Sequence, residues 1–300
     1  MSALSAFRSD DARAAYLRLY DAVLAGSAVP VTESDVETSY GRTHVLQAGD
    51  PSRPPLVALH GSSSSSTSWI PLLPILTATH RVTMLDAIDE VGKSAPTRPT
   101  SQPADLVAWL DEALQVLGIQ RAGIVAASRG TWIATHFATV FPERVERLAF
   151  VCPVGIAGGM SPRFLFRGLT TIAVWPTERR VWSLLDSMVN PEQRRVLREE
   201  PMHTIMQQFA SGTTSFKMSL GNAEPRPWPM RSDCDLHPIA SARIPVLAII
   251  GIKETAHNGR RAAAGLRQRL PDARIELVDA NHLIPNEVVG RYLSDFLAHR

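Results

Sequence analysis

Val125-Ala126-Ala127-Ser128-Arg129-Gly130 decides how this chain of 300 residues is read. The apolar run Ala122–Ala126 leads into it as a strand, and Thr131–Phe141 leaves it with helical periodicity. A serine at a strand-to-helix turn is forced into a strained backbone conformation, and small neighbours let strand and helix approach closely enough to hold it there. Its hydroxyl then stands clear of the sheet, beside a helix N-terminus that favours developing negative charge. Such turns usually read G-x-S-x-G; Ala126 occupies the first glycine position here.

Outward from the turn the same alternation repeats. Leu56–Leu59, Arg81–Leu85, Arg147–Cys152, Pro245–Ile250 and Arg274–Val278 read as strands, and Pro103–Leu117, Gly259–Leu270 and Val288–Ala298 as helices. Apolar strands alternating with helices imply βαβ units and a mostly parallel central sheet flanked by helices, an α/β fold. Ahead of them lie an amphipathic helix over Asp10–Leu24 and short strands at Val36–Ser39 and Thr43–Ala48. The rhythm breaks between Pro153 and Ser241, where Trp, Phe and Met are abundant and helices are expected at Arg163–Val174, Glu178–Val189 and Pro191–Ala210. Linkers are not this apolar. The expected division is therefore a core of residues 1–153 and 241–300 with an inserted helical cap or lid at 154–240.

Composition narrows the function classes. Lys+Arg of 31 against Asp+Glu of 29 gives a net charge of +2, too balanced for a nucleic-acid binder or a polybasic membrane protein. Apolar residues at 45% and charged residues at 20% are ordinary globular values and argue against disorder. Cys152 and Cys234 are too few for a disulfide scaffold or a four-cysteine zinc site. The N-terminal stretch carries Arg8, Asp10, Asp11, Arg13 and Arg18, unlike a signal peptide, and the apolar run Ile244–Ile250 is broken by Pro245. The chain reads as soluble and cytoplasmic.

Three further pieces complete a candidate site with Ser128. His60-Gly61-Ser62 follows the strand Leu56–Leu59, and Gly61 permits a tight turn. The backbone N–H groups of Ser62 and Arg129 are then expected to form an oxyanion hole, while the His60 side chain is read equally well as structural. His282, in Asp279-Ala280-Asn281-His282, follows the last strand at the edge where catalytic groups of a parallel sheet collect, and is the expected base. Glu254 ends the turn after Ile249-Ile250-Gly251 and is preferred over Asp279 as the acid orienting that base.

Other features stay open. Trp69, Phe164, Trp175, Trp182, Met206 and Trp228 are candidates to line a pocket for a bulky or aromatic substrate, or else form a small core of their own. The five serines Ser62–Ser66 are most simply a flexible polar loop, or supply hydrogen bonds to an acyl oxygen. Arg129 is either a surface residue or a binder of a substrate carboxylate.

The chain order Ser128, Glu254, His282 is that of the α/β-hydrolase class. With His60-Gly61, Pro142-Glu143-Arg144-Val145 and Asn281-His282, nearly the whole chain resembles the α/β-hydrolase superfamily. More narrowly, Ser39-Tyr40-Gly41-Arg42-Thr43-His44-Val45, Gly251-Ile252-Lys253-Glu254 and the loop Asp86 through Gly92-Lys93-Ser94 are similar to bacterial carboxylesterases that hydrolyse naproxen-type esters. Glu as the acid is implied by that resemblance too. Asn281 stands where the family usually has Gly, and Arg129 where many esterases carry Leu, Met or Gln.

The resemblance implies an α/β-hydrolase fold and a serine hydrolase that cleaves a small carboxylic ester or lactone through an acyl-enzyme, with no metal and no organic cofactor. The alternatives are a tailoring enzyme of specialised metabolism (acyltransferase, cyclase or lyase) on the same site, and a ligand-binding member of the fold without catalysis. Serine at 128 excludes the Asp-nucleophile dehalogenases and epoxide hydrolases.

Overall fold

A computed structural model describes residues 4, 6–156, 158–171, 176–217 and 234–298. Its longer strands are β1 (Val31–Thr38), β2 (Gly41–Ala48), β3 (Pro55–Leu59), β4 (Arg81–Leu85), β5 (Ala122–Ala127), β6 (Val145–Val151), β7 (Val246–Gly251) and β8 (Arg274–Val278). Its longer helices are α1 (Asp10–Ala25), α2 (Pro103–Val116), α3 (Arg129–Val140), α4 (Pro162–Leu169), α5 (Glu178–Ser187), α6 (Met202–Ser215), α7 (Gly259–Arg269) and α8 (Asn286–Ala298).

These strands lie in the order β8-β7-β6-β5-β3-β4-β2-β1. Neighbours from β8 through β4 are parallel, and β2 runs antiparallel to both β4 and β1. Alternation explains the two-sided core. Val57, Leu59, Ile124 and Ala126 face Trp109 of α2 and Trp132 and Phe137 of α3. Leu56, Ala58, Val125 and Val151 face Tyr16 and Tyr20 of α1 and Leu293 of α8. A parallel strand covered on both faces is apolar throughout, which is why these segments read as continuous hydrophobic runs. Full burial of a Leu such as Leu56 or Leu59 contributes about 1.5–3 kcal/mol.

Register places the chemistry. Leu59 pairs with Ala126, Ala127 with Val151, and Gly251 with Val278, so the chain leaves β3, β5, β6, β7 and β8 at one rim. His60, Ser128, Cys152, Ile252 and Asp279 are the first residues beyond those strand ends.

Two helices differ from expectation. The segment expected as one helix over Pro191–Ala210 forms single turns at Pro191–Gln193 and Val196–Arg198, and α6 starts only after Pro201. Proline lacks an N–H and disfavours helical geometry in the residue before it, so the pattern cannot run through position 201. Helix α4 covers Pro162–Leu169, and residues 172–174 of the expected helix lie outside the described residues. Among the described residues no helix is long and apolar enough to cross a membrane.

Candidate active site

Ser128 sits between β5 and α3 with φ 48° and ψ −117°. A positive φ is costly for a residue with a side chain, and the surroundings enforce it. The Ser128 N–H donates to Val151 O at 2.9 Å, and Ser128 O accepts from the N–H and hydroxyl of Thr131 at 3.0 and 2.6 Å. Gly130 is required because a Cβ there would stand 2.4 Å from the Leu59 carbonyl oxygen. Position 126 faces the helix side of the core, where Ala126 is fully buried.

Ser128, His282 and Glu254, far apart in the chain, meet at the rim. His282 Nε2 lies 3.0 Å from Ser128 Oγ, and His282 Nδ1 lies 2.9 Å from both Glu254 oxygens. A carboxylate at Nδ1 keeps the proton on that nitrogen and leaves Nε2 to accept the serine hydroxyl proton. Burial alone raises the Glu254 carboxyl pKa. The His282 ring and its hydrogen bond, the His257 ring and the Ala256 N–H outweigh burial and hold it below its ordinary value. The rival, Asp279, is exposed and paired with Lys253 at 2.7 Å.

Asn281 has a positioning job. Its Oδ1 accepts the His282 N–H at 2.8 Å, and its Nδ2 donates to Ser187 O at the end of α5 at 3.0 Å. Leu283 N–H to Met188 O (2.8 Å) and Asn190 Nδ2 to Asp279 O (3.1 Å) tie the histidine loop to the residues just after α5 at two more points.

Gly61 packs against the serine: a Cβ there would lie 3.2 Å from Ser128 Cβ and 3.8 Å from its Oγ. The His60 ring is a structural anchor. Its Nε2 accepts the Ala87 N–H at 2.9 Å, which leaves Nδ1–H to donate to Gly61 O at 2.8 Å. Because the peptide is trans, fixing that carbonyl toward the ring points the Ser62 N–H the opposite way.

Arg129 corrects both open readings. It is 1% exposed and therefore not a surface residue. Its guanidinium grips Asp89 through two hydrogen bonds of 3.0 and 2.6 Å and reaches Glu90 at 3.5 Å, so it is already engaged by carboxylates of the protein itself. Three residues of the serine run are equally committed. Ser66 donates from backbone and hydroxyl to Asp86 at 2.8 and 2.6 Å, Ser63 N–H to Glu90 at 2.9 Å, and Gln208 of α6 donates to Ser65 Oγ at 3.1 Å. With Ser63, Ser65 and Ser66 held in this way, that part of the loop is a fixed wall, not a flexible one.

That wall bounds a cavity of about 780 Å³ which also takes in Ser128 and His282. Trp69, Phe164 and Met206 line it, and the Phe164 ring lies 6.1 Å from the His282 ring. Trp182 does not. Its ring stacks on His203 at 5.8 Å with Arg198 over it at 5.2 Å, so α5 turns it away from the cavity. Trp175 and Trp228 lie outside the described residues. Leu184 and Leu185 of α5 and Met188 just past its end also line the cavity and were not among the sequence candidates. Their i, i+1, i+4 spacing was the available signal. Asp86, read in the sequence only as the start of a resembling loop, is fully buried directly after the apolar strand β4.

Comparisons with known proteins identify the fold family. A family model described as alpha/beta hydrolase fold matches residues 54–285. The uncharacterized carboxylesterase Nap of Bacillus subtilis (strain 168) is 27% identical over 84% of this chain and 81% of that relative. Carboxylesterase YbfK from the same strain is 31% identical over 46% of this chain and 47% of its own length. The crystal structure of naproxen esterase from Bacillus subtilis superposes with a TM-score of 0.83 at 25% identity, covering 96% of this chain and 99% of the other.

Proposed function

Because this chain belongs to the alpha/beta hydrolase fold family, we propose that it is a serine hydrolase of carboxylic esters working through Ser128, His282 and Glu254. The observation that carries the reading is the unbroken line from Glu254 through His282 to Ser128, with contacts of 2.9 and 3.0 Å. The carboxylesterase names of the relatives support the reaction class.

His282 Nε2 takes the Ser128 hydroxyl proton as Oγ attacks the ester carbonyl, and Glu254 stabilises the imidazolium that forms. The N–H groups of Ser62 and Arg129 receive the oxyanion. His282 returns the proton to the departing alcohol, leaving an acyl group on Ser128. Water, deprotonated by His282, then attacks the acyl carbon, and the acid leaves as Ser128 regains its proton.

The cavity supports a small-molecule ester with a bulky apolar or aromatic part. Trp69, Phe164, Leu184 and Met206 can cover apolar substrate surface but offer little to a charged one. Residues 154–240 are read as the cap over this site, clamped to the histidine loop through Ser187, Met188 and Asn190. The test is a series of p-nitrophenyl esters graded in acyl length and aromatic bulk, with Ser128→Ala as control. Turnover that rises with bulk and drops by about 10⁴-fold or more in the variant is expected. A variant as active as the wild type would contradict the reading.

A further inference from the structure

We propose that Glu90 and Arg129 form a positioning clamp that sets the geometry of the oxyanion-binding amides, an inference that rests on the ester-hydrolase reading above. Arg129 contributes a backbone N–H as one expected donor, and Ser62 contributes the other. The same buried cluster holds a residue on each side. Arg129 projects its guanidinium from the first turn of α3 onto Asp89 and Glu90, and Glu90 divides its carboxylate between the two partners. Oε1 faces Arg129 Nη1 at 3.5 Å, and Oε2 accepts the N–H of Ser63, the residue after Ser62, at 2.9 Å.

Burial makes the clamp rigid. Arg129 is 1% exposed, Asp89 and Glu90 4% each, and Ser63 6%. Ser63 has φ 57°, the left-handed region that a residue with a side chain avoids unless held there. The hydrogen bond to Glu90 is the hold. Gly61 O is anchored from the other side by His60, whose Nε2 takes the Ala87 N–H from the loop that also carries Glu90. The Gly61–Ser62 peptide thus lies between two anchors that both trace to residues 87–90.

A buried ionic cluster is poor evidence for stability, because desolvation cancels much of the attraction. It is better suited to fixing directions, since the planar guanidinium fork meets a carboxylate in one orientation. Oxyanion donors act only when aimed at the developing charge, and an error of about 1 Å costs on the order of 100-fold in rate. A charged residue directly after the nucleophile, buried rather than facing substrate, is explained if its side chain aims the N–H groups instead of binding anything.

The test compares Glu90→Ala with Glu90→Gln. Rates are expressed per active site titrated by a fluorophosphonate, and affinity is measured for a boronic acid, which adds to a serine hydroxyl as a tetrahedral anion. The alanine variant frees the Ser63 N–H. Its kcat is expected to fall by about 10- to 100-fold with KM within about twofold, and boronate affinity to fall by the same factor as kcat. Glu90→Gln keeps an oxygen for Ser63 while Asp89 still holds the guanidinium, and returns most of the lost rate. If Glu90→Ala does not fold, Arg129→Lys carries the test, because it keeps the charge but loses the fork; the same selective loss of kcat is expected.

A folded Glu90→Ala with unchanged kcat per titrated site and unchanged boronate affinity would overturn the clamp. So would a loss confined to thermal stability or to the titratable fraction, which is all that a purely structural role would produce. Wild-type protein that neither titrates nor hydrolyses esters would overturn the underlying ester-hydrolase reading, and the clamp with it.

Discussion

Gly130 packs so tightly on Leu59 that a Cβ at 130 would stand 2.4 Å from the Leu59 carbonyl oxygen and 2.7 Å from that of His60. Both obstacles are backbone, so nothing nearby can rotate aside. Gly130→Ala should cost about 1–3 kcal/mol in denaturant unfolding and reduce activity further, because the first turn of α3 moves with Ser128. Unchanged stability and activity would show that the elbow tolerates the methyl group.

Glu254 and Asp279 separate the two possible acids. Glu254→Gln removes the charge facing His282 Nδ1 and should lower kcat by about 10³- to 10⁴-fold with little change in KM. Asp279→Asn breaks only an exposed pair with Lys253, and steady-state rates within about twofold of wild type are expected. The reverse ranking would move the acid to Asp279.

The acid limb of stability follows from the same carboxyl. Burial pushes the Glu254 pKa up, but His282, His257 and the Ala256 N–H together bring it below the ordinary value. A carboxyl depressed in the folded state stabilises the fold above its unfolded value of about 4.3, and that contribution is lost as pH falls through the folded value. Glu254→Gln has nothing there to titrate. Thermal melts taken from about pH 7 to about pH 3 should therefore show the gap between wild type and variant narrowing as pH drops. A widening gap would contradict the direction of the shift.

Phe164 and Trp182 make a matched pair of aromatic truncations. Phe164 lines the cavity beside His282, whereas Trp182 stacks on His203. Phe164→Ala should raise KM for bulky aromatic esters by about 10-fold while sparing short-chain ones. Trp182→Ala should leave that selectivity intact and show its effect in thermal stability. Equal shifts in ester preference would place both rings at the substrate.

Cys152 follows β6 directly in the cavity wall, and burial, then the nearby Glu254 carboxylate, push its thiol pKa well above the ordinary range. A thiol kept protonated is a poor nucleophile. Alkylation of native protein by iodoacetamide should be slow at Cys152 and should rise with unfolding, as followed by peptide mass spectrometry. Rapid labelling of the folded protein would contradict the burial.

Much of the fold was legible because a parallel strand covered on both faces must be apolar throughout, and Leu56–Leu59 and Ile249–Gly251 carry that signature plainly. The site was legible for a related reason. Ser128 and Glu254 follow such strands closely and His282 follows the edge strand β8, and parallel strands deliver their following residues to one rim. Arg129 was not legible, because its partners Asp89 and Glu90 are 40 and 39 residues away and a charged side chain does not announce its own burial. Trp182 failed likewise: a tryptophan in an apolar insertion says that it packs, not against what. The helix expected over Pro191–Ala210 yielded to Pro201, a signal that local periodicity outweighed.

The most direct measurement is the intact mass of the protein after exposure to a fluorophosphonate, followed by peptide mapping. One phosphonyl adduct is expected, located on Ser128, absent from Ser128→Ala and strongly slowed in His282→Ala. A correctly folded wild type that takes up no adduct, or takes it at a different residue, would contradict the claim that His282 activates this serine.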